Sequence, residues 1–167
     1  YLLRTVNAVI SPALTDELGL SAAQLGLLTS MYFLAFGLAQ IPVGIALDRY
    51  GPRRVESALL LVTALGSVLF ALGDSMASLG LARALIGMGV SACLMGALKG
   101  LALWYPPERQ SSMTGFIMAS GAMGALTASA PLELMMPLVG WRGVFWGIAV
   151  VAVLAAYTLM RSLPREE

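Results

Sequence analysis

Long apolar runs, separated by short polar turns, make up most of this 167-residue chain. A helix needs about 20 mostly apolar residues to cross a bilayer. With that length as a guide, the pattern predicts six spanning helices and therefore an all-α membrane protein. The predicted spans are a first segment ending near Leu14, then Ala22 to Leu47, Val55 to Leu72, Ser78 to Trp104, Ser112 to Pro131, and Val144 to Met160.

The composition supports a lipid environment and excludes several classes of function. Hydrophobic residues make up 59% of the chain and charged residues 11%, too few charges to cover the surface of a soluble domain. The net charge of +1 gives nucleic-acid binding no electrostatic support. The chain has no histidine and a single cysteine, Cys93. Without a nucleophile–base pair or a metal-ligand cluster, we expect neither an enzyme nor a cofactor.

The charges of the turns predict an orientation in the membrane. One set of turns carries most of the arginines, and the other set carries acids and one arginine. Because positive loops stay in the cytoplasm, the arginine-rich turns and both chain ends are predicted to be cytoplasmic, in a bacterial inner membrane. The first set holds Arg49, Arg53, Arg54, Arg109, Arg161 and Arg165, and the second holds Arg142, Asp16, Glu17, Asp74 and Glu133.

A weak internal repeat relates the two halves of the chain. A shift of about 89 residues, far longer than the period of a solenoid repeat, superposes a proline, a glycine and an arginine in one register. These are Pro42 on Pro131, Gly51 on Gly140, and Arg53 on Arg142. The two turns lie on opposite predicted faces, as in a three-plus-three inverted repeat. The expected units are residues 1–77 and 78–167. The chain starts without Met inside a predicted helix, so we expect its N-terminus to be incomplete.

Two motifs carry a resemblance to a known family. The turn between the second and third predicted helices has glycine, an Asp-Arg pair, glycine and an Arg-Arg pair at fixed spacing. The fourth predicted helix contains an arginine followed by two glycines. This pattern resembles the major facilitator superfamily, and the resemblance covers the whole chain. The positions are Gly44, Asp48, Arg49, Gly51, Arg53 and Arg54 in the turn, and Arg83, Gly87 and Gly89 in the helix.

The resemblance implies that this chain is the N-terminal six-helix half of a twelve-helix secondary transporter. The other six helices are absent from this sequence. In that family the aspartate and arginines of the turn form a latch that clamps the two halves together in one conformation. Asp48 also lies at a helix C-terminus, where the helix dipole disfavours an anion, so it needs a cation or a helix N-terminus as partner. The alternative is that Arg49, Arg53 and Arg54 only fix the topology.

Arg4 is the strongest candidate for binding a substrate. At the rise of an α-helix, Arg4 lies about 18 Å from the turn that follows the first predicted span. That depth is near the middle of a hydrocarbon core of about 30 Å. A charge at that depth costs at least ~2.5–3.5 kcal/mol, so we expect it to be functional. A guanidinium can bind a carboxylate with two parallel hydrogen bonds, and the resemblance implies this role, because family members that carry organic anions have a similarly placed arginine. The alternative is that Arg4 reaches back to the cytoplasmic interface.

The other polar residues within spans are open to two interpretations each. Tyr32 and Gln40 either line a cavity or pack between helices. Arg83 either bonds neighbouring helix carbonyls or takes part in ion coupling. Lys99 either extends to the interface or attracts an anion. Because no Asp or Glu lies in the middle of a span, the carboxylate of a proton symporter would lie in the missing portion.

Three functions are consistent with the sequence. The first is a secondary transporter, such as a symporter, that moves a small organic anion by alternating access. The second is a non-transporting membrane receptor or subunit with the same fold. The third is a half-size carrier in which a second copy replaces the missing C-terminal half. All three have the lipid bilayer as a partner, and none involves nucleic acid.

Overall fold

The computed structural model of the protein describes residues 2–163, which contain no strand. This confirms the all-α prediction for the described part of the chain. The helices are α1 Leu2–Leu18, α2 Ala22–Leu72, α3 Met76–Gly89, α4 Cys93–Trp104, α5 Pro107–Thr127 and α6 Ala130–Ser162. Arg165 of the arginine-rich set lies outside the described residues.

Local sequence signals set where several helices begin. Ser21 and Gln24 form a capping box at the start of α2, and Ser75 and Ser78 form one at the start of α3. Each box satisfies backbone N–H groups that have no partner inside the helix. Pro107 lies at the start of α5, where its missing N–H costs nothing.

The long helix α2 folds back on itself at Gly51, which has φ 74° and ψ 161°. A straight helix of that length would separate Ala35 from Leu59 by about 36 Å, yet both line one apolar groove of about 600 Å³. We therefore divide α2 into a first segment, 22–50, and a second segment, 52–72. In α6, Gly140 has nearly the same conformation, φ 65° and ψ 169°, and separates segments 130–139 and 141–162. These are the two glycines that the repeat superposes.

Several of the predicted spans and turns differ from the structure. The predicted turn from Leu132 to Gly143 is helical except at Gly140, and the fifth predicted span bends at Ala128 and Ser129. The fourth predicted span is interrupted between α3 and α4, at residues 90–92. The turns were predicted from runs of polar residues. In the structure a single glycine with positive φ is enough to break a helix, and the polar residues on either side of it stay helical.

Three stretches of residues 2–163 are long and apolar enough to cross a membrane: Ala22–Leu72, Met76–Trp104 and Ala130–Ser162. They contain the second, third, fourth and sixth predicted spans. The first and fifth predicted spans are helical, as α1 and α5, but do not meet the same standard of length and hydropathy. The number of crossings and the three-plus-three arrangement stay predictions.

The tightest helix packing joins α3 to both segments of α2. A Cβ on Gly87 would lie 3.0 Å from the carbonyl carbon of Tyr32, and one on Gly89 would lie 2.7 Å from the carbonyl oxygen of Leu59. Both glycines of the fourth-helix motif therefore let two backbones approach closely. Beside this contact, the rings of Phe70, Trp141 and Phe145 pack together in the buried core.

Candidate functional site

A polar cavity of about 340 Å³ lies between α1 and the first segment of α2. Arg4 is exposed at this cavity, and its guanidinium carbon lies 5.1 Å from the ring centroid of Phe33. The ring attracts the cation but leaves its N–H donors available. The lining consists of Arg4, Thr5, Asn7, Ala8, Ser11, Leu25, Gly26 and Thr29.

A buried hydrogen-bond network adjoins this cavity. Arg83 of α3 is 1% exposed and donates hydrogen bonds to Asn7 Oδ1 and, at 3.5 Å, to the carbonyl of Leu3. Asn7 Nδ2 then donates to Thr29 Oγ1 at 2.7 Å. We call Arg83, Asn7 and Thr29 the Arg83 network. It connects α3, α1 and α2, and its middle member lines the cavity.

Aromatic rings complete the surroundings of Arg83. Its guanidinium carbon lies 4.7 Å from the ring centroid of Phe70 and 5.3 Å from that of Phe145. Within residues 2–163 neither Arg83 nor Arg4 forms a salt bridge. Two guanidinium groups at or beside the cavity, without a carboxylate partner there, make this region favourable for an anion.

Tyr32 and Gln40, the other two candidates for substrate binding, do not line the cavity with Arg4. Tyr32 is buried and packs edge-on against Phe33, with ring centroids 5.1 Å apart. Gln40 donates a 3.5 Å hydrogen bond to the carbonyl of Ser91, in the break between α3 and α4. In this structure both make packing contacts, and their roles in binding stay predictions.

Asp48, in the charged turn around Gly51, forms an ion pair with a residue of α4. Lys99 Nζ of α4 lies 2.5 Å from Asp48 Oδ1 and donates to the carbonyl of Leu47 at 2.9 Å. Asp48 thus has a cation as partner at its helix C-terminus. Arg49 and Arg54 are exposed, and Arg49 lies 5.4 Å from the ring of Tyr50.

Two arginines related by the repeat make equivalent contacts. Arg53 donates to the carbonyl of Met160, near the end of α6. Arg142 donates to the carbonyl of Ala71 at 2.7 Å, near the end of α2. Arg53, at the start of segment 52–72, therefore binds the end of segment 141–162. In the same way Arg142, at the start of segment 141–162, binds the end of segment 52–72.

The contacts of Arg142 form a second polar cluster. Arg142 also donates to the carbonyl of Gly73 at 3.2 Å and pairs with Asp74 at 2.7 Å. The indole of Trp141 donates to Glu17 Oε2 at 2.8 Å. Arg142, Gly73, Asp74, Trp141 and Glu17 all come from the turns that were predicted to lie opposite the cytoplasmic face.

Sequence reasoning missed two members of the Arg83 network. Asn7 and Thr29 were not considered, although an asparagine within an apolar helix is a recognisable signal because its amide needs partners in lipid. Asn7 also follows Arg4 by about one helical turn, which places both on one side of α1.

Comparison of the sequence with known proteins identifies a matching family and several relatives. The sequence profile of the Major Facilitator Superfamily matches residues 1–167. The "Probable L-galactonate transporter" of Escherichia coli is 32% identical over 97% of this chain and 36% of its own length. The "Hexuronate transporter" of Bacillus subtilis is 26% identical over 99% of this chain and 40% of its own. The "Probable sulfoacetate transporter SauU" of Cupriavidus necator is 26% identical over 96% and 37%.

These relatives bear on two of the expectations from sequence. All three are named as transporters and none as an enzyme, in line with the expectation of a transporter. The chain spans little more than a third of the length of each.

Proposed function

The chain belongs to the major facilitator superfamily, and from that premise we propose that it forms part of a secondary transporter for a small organic anion. In this proposal the chain supplies the N-terminal six helices of a twelve-helix carrier, with residues 1–77 and 78–167 as its two three-helix units. The transporter works by alternating access in a bacterial inner membrane, with both ends of this half in the cytoplasm.

The observation that carries the proposal is the polar cavity with Arg4 at its surface. Arg4 keeps donors available for a ligand, and no carboxylate of residues 2–163 neutralises it. A substrate carboxylate would bind there through charge-assisted hydrogen bonds. L-Galactonate, hexuronate and sulfoacetate, the solutes named for the relatives, are all organic anions.

Equivalent conformations and contacts support the repeated three-helix unit. Gly51 and Gly140 share one unusual backbone conformation. Arg53 binds the end of the segment that starts near Arg142, and Arg142 binds the end of the segment that starts near Arg53. A chance match of sequence letters would not predict matching dihedral angles and matching hydrogen bonds, whereas a duplicated unit does.

Features of the Gly51 turn support its proposed role as a latch against the absent half. A Cβ atom added to Gly44 would meet nothing within 4 Å, so no contact with the described residues, 2–163, requires glycine there. Arg49 and Arg54 are exposed, and no salt bridge to either is formed within residues 2–163. A helix from the missing half, approaching closely at Gly44, would find both arginines free to bind it.

Transport by the full-length protein tests the proposal. We expect proteoliposomes to take up labelled L-galactonate or a labelled hexuronate, and Arg4→Gln to lower the initial rate by about tenfold or more. A charge-assisted hydrogen bond contributes about 1.5–3 kcal/mol, and about 1.4 kcal/mol corresponds to a factor of ten. Arg4→Lys should retain more activity than Arg4→Gln because it keeps the charge.

The matched control is Arg109→Gln, which removes an exposed arginine in the first turn of α5, away from the cavity. It should transport at the wild-type rate when the amounts of protein are equal. Equal uptake by wild type and Arg4→Gln would contradict the assignment of Arg4. Uptake of the uncharged parent sugar at the same rate as the acid would contradict the anionic substrate.

A further inference from the structure

Glu56 is the only acidic residue of the second segment of α2, and it lies one turn beyond Gly51. Its side chain packs against Gly96 of α4, which is buried. A Cβ on Gly96 would lie 2.6 Å from Glu56 Cδ, so any residue other than glycine would occupy the space of the carboxyl group. The glycine therefore makes room for an acid between two helices.

Glu56 is half-buried, and one oxygen of its carboxyl group lacks the partner that an ionised acid needs. Its Oε1 atom is inaccessible to solvent and has no hydrogen-bond partner within residues 2–163. Atoms of this chain already cover it, so an outside group cannot reach it without a movement. An ionised carboxylate in such a place is costly unless it is paired with a cation. Glu56 must therefore carry a proton or have a cation that can come to it.

Lys99 is placed to supply that cation, because it lies on the same side of α4 as Gly96 and one turn further along. In this structure its ammonium binds Asp48 and the carbonyl of Leu47. Side chains on a helix lean toward the N-terminus, so the stem of Lys99 leans toward Gly96 and Glu56. Its four-carbon stem is flexible, and a change of rotamers can move the charge from one carboxylate to the other.

The remaining ionisable groups around Glu56 do not substitute for Lys99. The guanidinium of Arg53, one turn earlier on the same segment, is bound to the carbonyl of Met160. Cys93, one turn before Gly96 on α4, carries a thiol that cannot supply a positive charge. Asp48 is an acid and already has Lys99 as its partner.

We propose that Glu56 is a proton-binding site and that Lys99 alternates between Asp48 and Glu56. While Lys99 is on Asp48, Glu56 holds its proton. When Lys99 moves to Glu56, the carboxyl proton leaves for water at the Gly51 turn, and the reverse movement takes a proton from water. The binding of one proton by Glu56 is thereby linked to whether Lys99 is paired with Asp48. Only the use of this proton in transport depends on the proposed function; the site itself does not.

Infrared difference spectroscopy of the purified full-length protein at neutral pH tests the site without any substrate. The signal is the carbonyl stretch of a protonated carboxylic acid. Glu56→Gln should remove one such band. Asp48→Asn should remove the same band, because Lys99 loses its first partner and moves to Glu56, which then ionises. Lys99→Met should keep the band, and Asp48→Asn with Lys99→Met should restore it. Glu108→Gln, which changes an exposed acid of α5, is the control and should keep it.

Two results would overturn the proposal. If Glu56→Gln leaves every protonated-acid band in place, Glu56 is ionised and holds no proton. If Asp48→Asn keeps the band, Lys99 does not move between the two acids. The comparison of Asp48→Asn with its Lys99→Met double variant tests the exchange even where Glu56→Gln fails to fold. None of these outcomes depends on whether the protein transports an organic anion.

Discussion

Arg4 and Arg83 are both arginines within predicted spans, but their surroundings give them different roles. Arg83 is fully buried, and its two terminal guanidinium nitrogens bond an amide oxygen and a carbonyl instead of a carboxylate. Two aromatic faces lie against the group, and its Nε has no hydrogen-bond partner within residues 2–163. Each cation–π contact of this kind contributes about 0.5–2 kcal/mol. Arg4 is exposed at a cavity with one ring contact. Arg83 is part of the core, and Arg4 is available to a ligand.

Asn7 is predicted to be the most sensitive partner of Arg83. Asn7→Leu should destabilise the full-length protein by about 1–3 kcal/mol, because it leaves a buried charged donor without its acceptor. Asn7→Asp should be tolerated, because it supplies a carboxylate to the same cation. Thermal unfolding in detergent measures both.

The double variant Asn7→Leu with Arg83→Leu separates a lost hydrogen bond from lost packing. It should be more stable than Asn7→Leu alone, since removing both polar partners leaves no buried group unsatisfied. If instead the two substitutions add, Asn7 contributes through packing only, and the Arg83 network is not an energetic unit.

Helix α3 owes its position to glycines that face α2. At Gly87 the backbone of Tyr32 occupies the space that a side chain would need, and at Gly89 the contact is with Leu59 and Thr63. Lipid provides no hydrophobic force between helices, so close packing and carbonyl contacts have to stabilise the pair. The two glycines of the fourth-helix motif are therefore explained by helix packing.

Gly87→Ala should destabilise the protein by about 1–3 kcal/mol, the usual cost of adding a methyl group to a packed contact. The matched control is Gly37→Ala in the first segment of α2, where a Cβ would meet nothing within 4 Å. The control should be neutral or slightly stabilising, because alanine is the better helix former. Thermal unfolding of the two variants side by side measures the difference, and equal melting temperatures would mean that α3 can move away from α2 at no cost.

Across the molecule as a whole, Arg53 and Arg142 each connect the two units predicted from the internal repeat. Each arginine donates to a carbonyl in the last turns of a helix of the other unit, where carbonyls have no partner inside the helix. A cation is also favoured there by the helix dipole. Arg142 has Asp74 as a further partner, whereas Arg53 makes no salt bridge within residues 2–163.

Hydrogen–deuterium exchange of the full-length protein tests this reciprocity. Arg53→Gln should speed exchange in the last turns of α6, around Met160, and leave the end of α2 unchanged. Arg142→Gln should do the opposite and speed exchange around Ala71. Each effect follows from fraying of a helix end that has lost its cation.

Arg54→Gln serves as the control, because Arg54 is exposed. It should leave both helix ends at the wild-type rate of exchange. If Arg53→Gln and Arg54→Gln behave alike, Arg53 does not stabilise α6, and it would be free for the latch proposed for the Gly51 turn.

The sequence was sufficient for the properties that depend on composition and local pattern. Apolar runs with few charges predicted helices in lipid, because backbone polar groups must be satisfied within each segment there. The motifs around Gly51 and Arg83 identified the family, and the spacing of Gly51 and Gly140 anticipated two glycines with the same dihedral angles. The sequence also singled out Arg4, since a cation within an apolar helix is visible without any neighbour, and the structure places Arg4 at a cavity while its role in binding stays a prediction.

Contacts between helices distant in sequence could not be read from the chain. Nothing near Arg83 in sequence points to Asn7, nothing near Lys99 points to Asp48, and nothing near Glu56 points to Gly96. Such pairings depend on how segments pack after they have formed, and packing is set by the shapes of two surfaces together. A periodic pattern describes the surface of one helix at a time. It therefore predicts the helices, whereas only the folded structure shows which helices pack against each other.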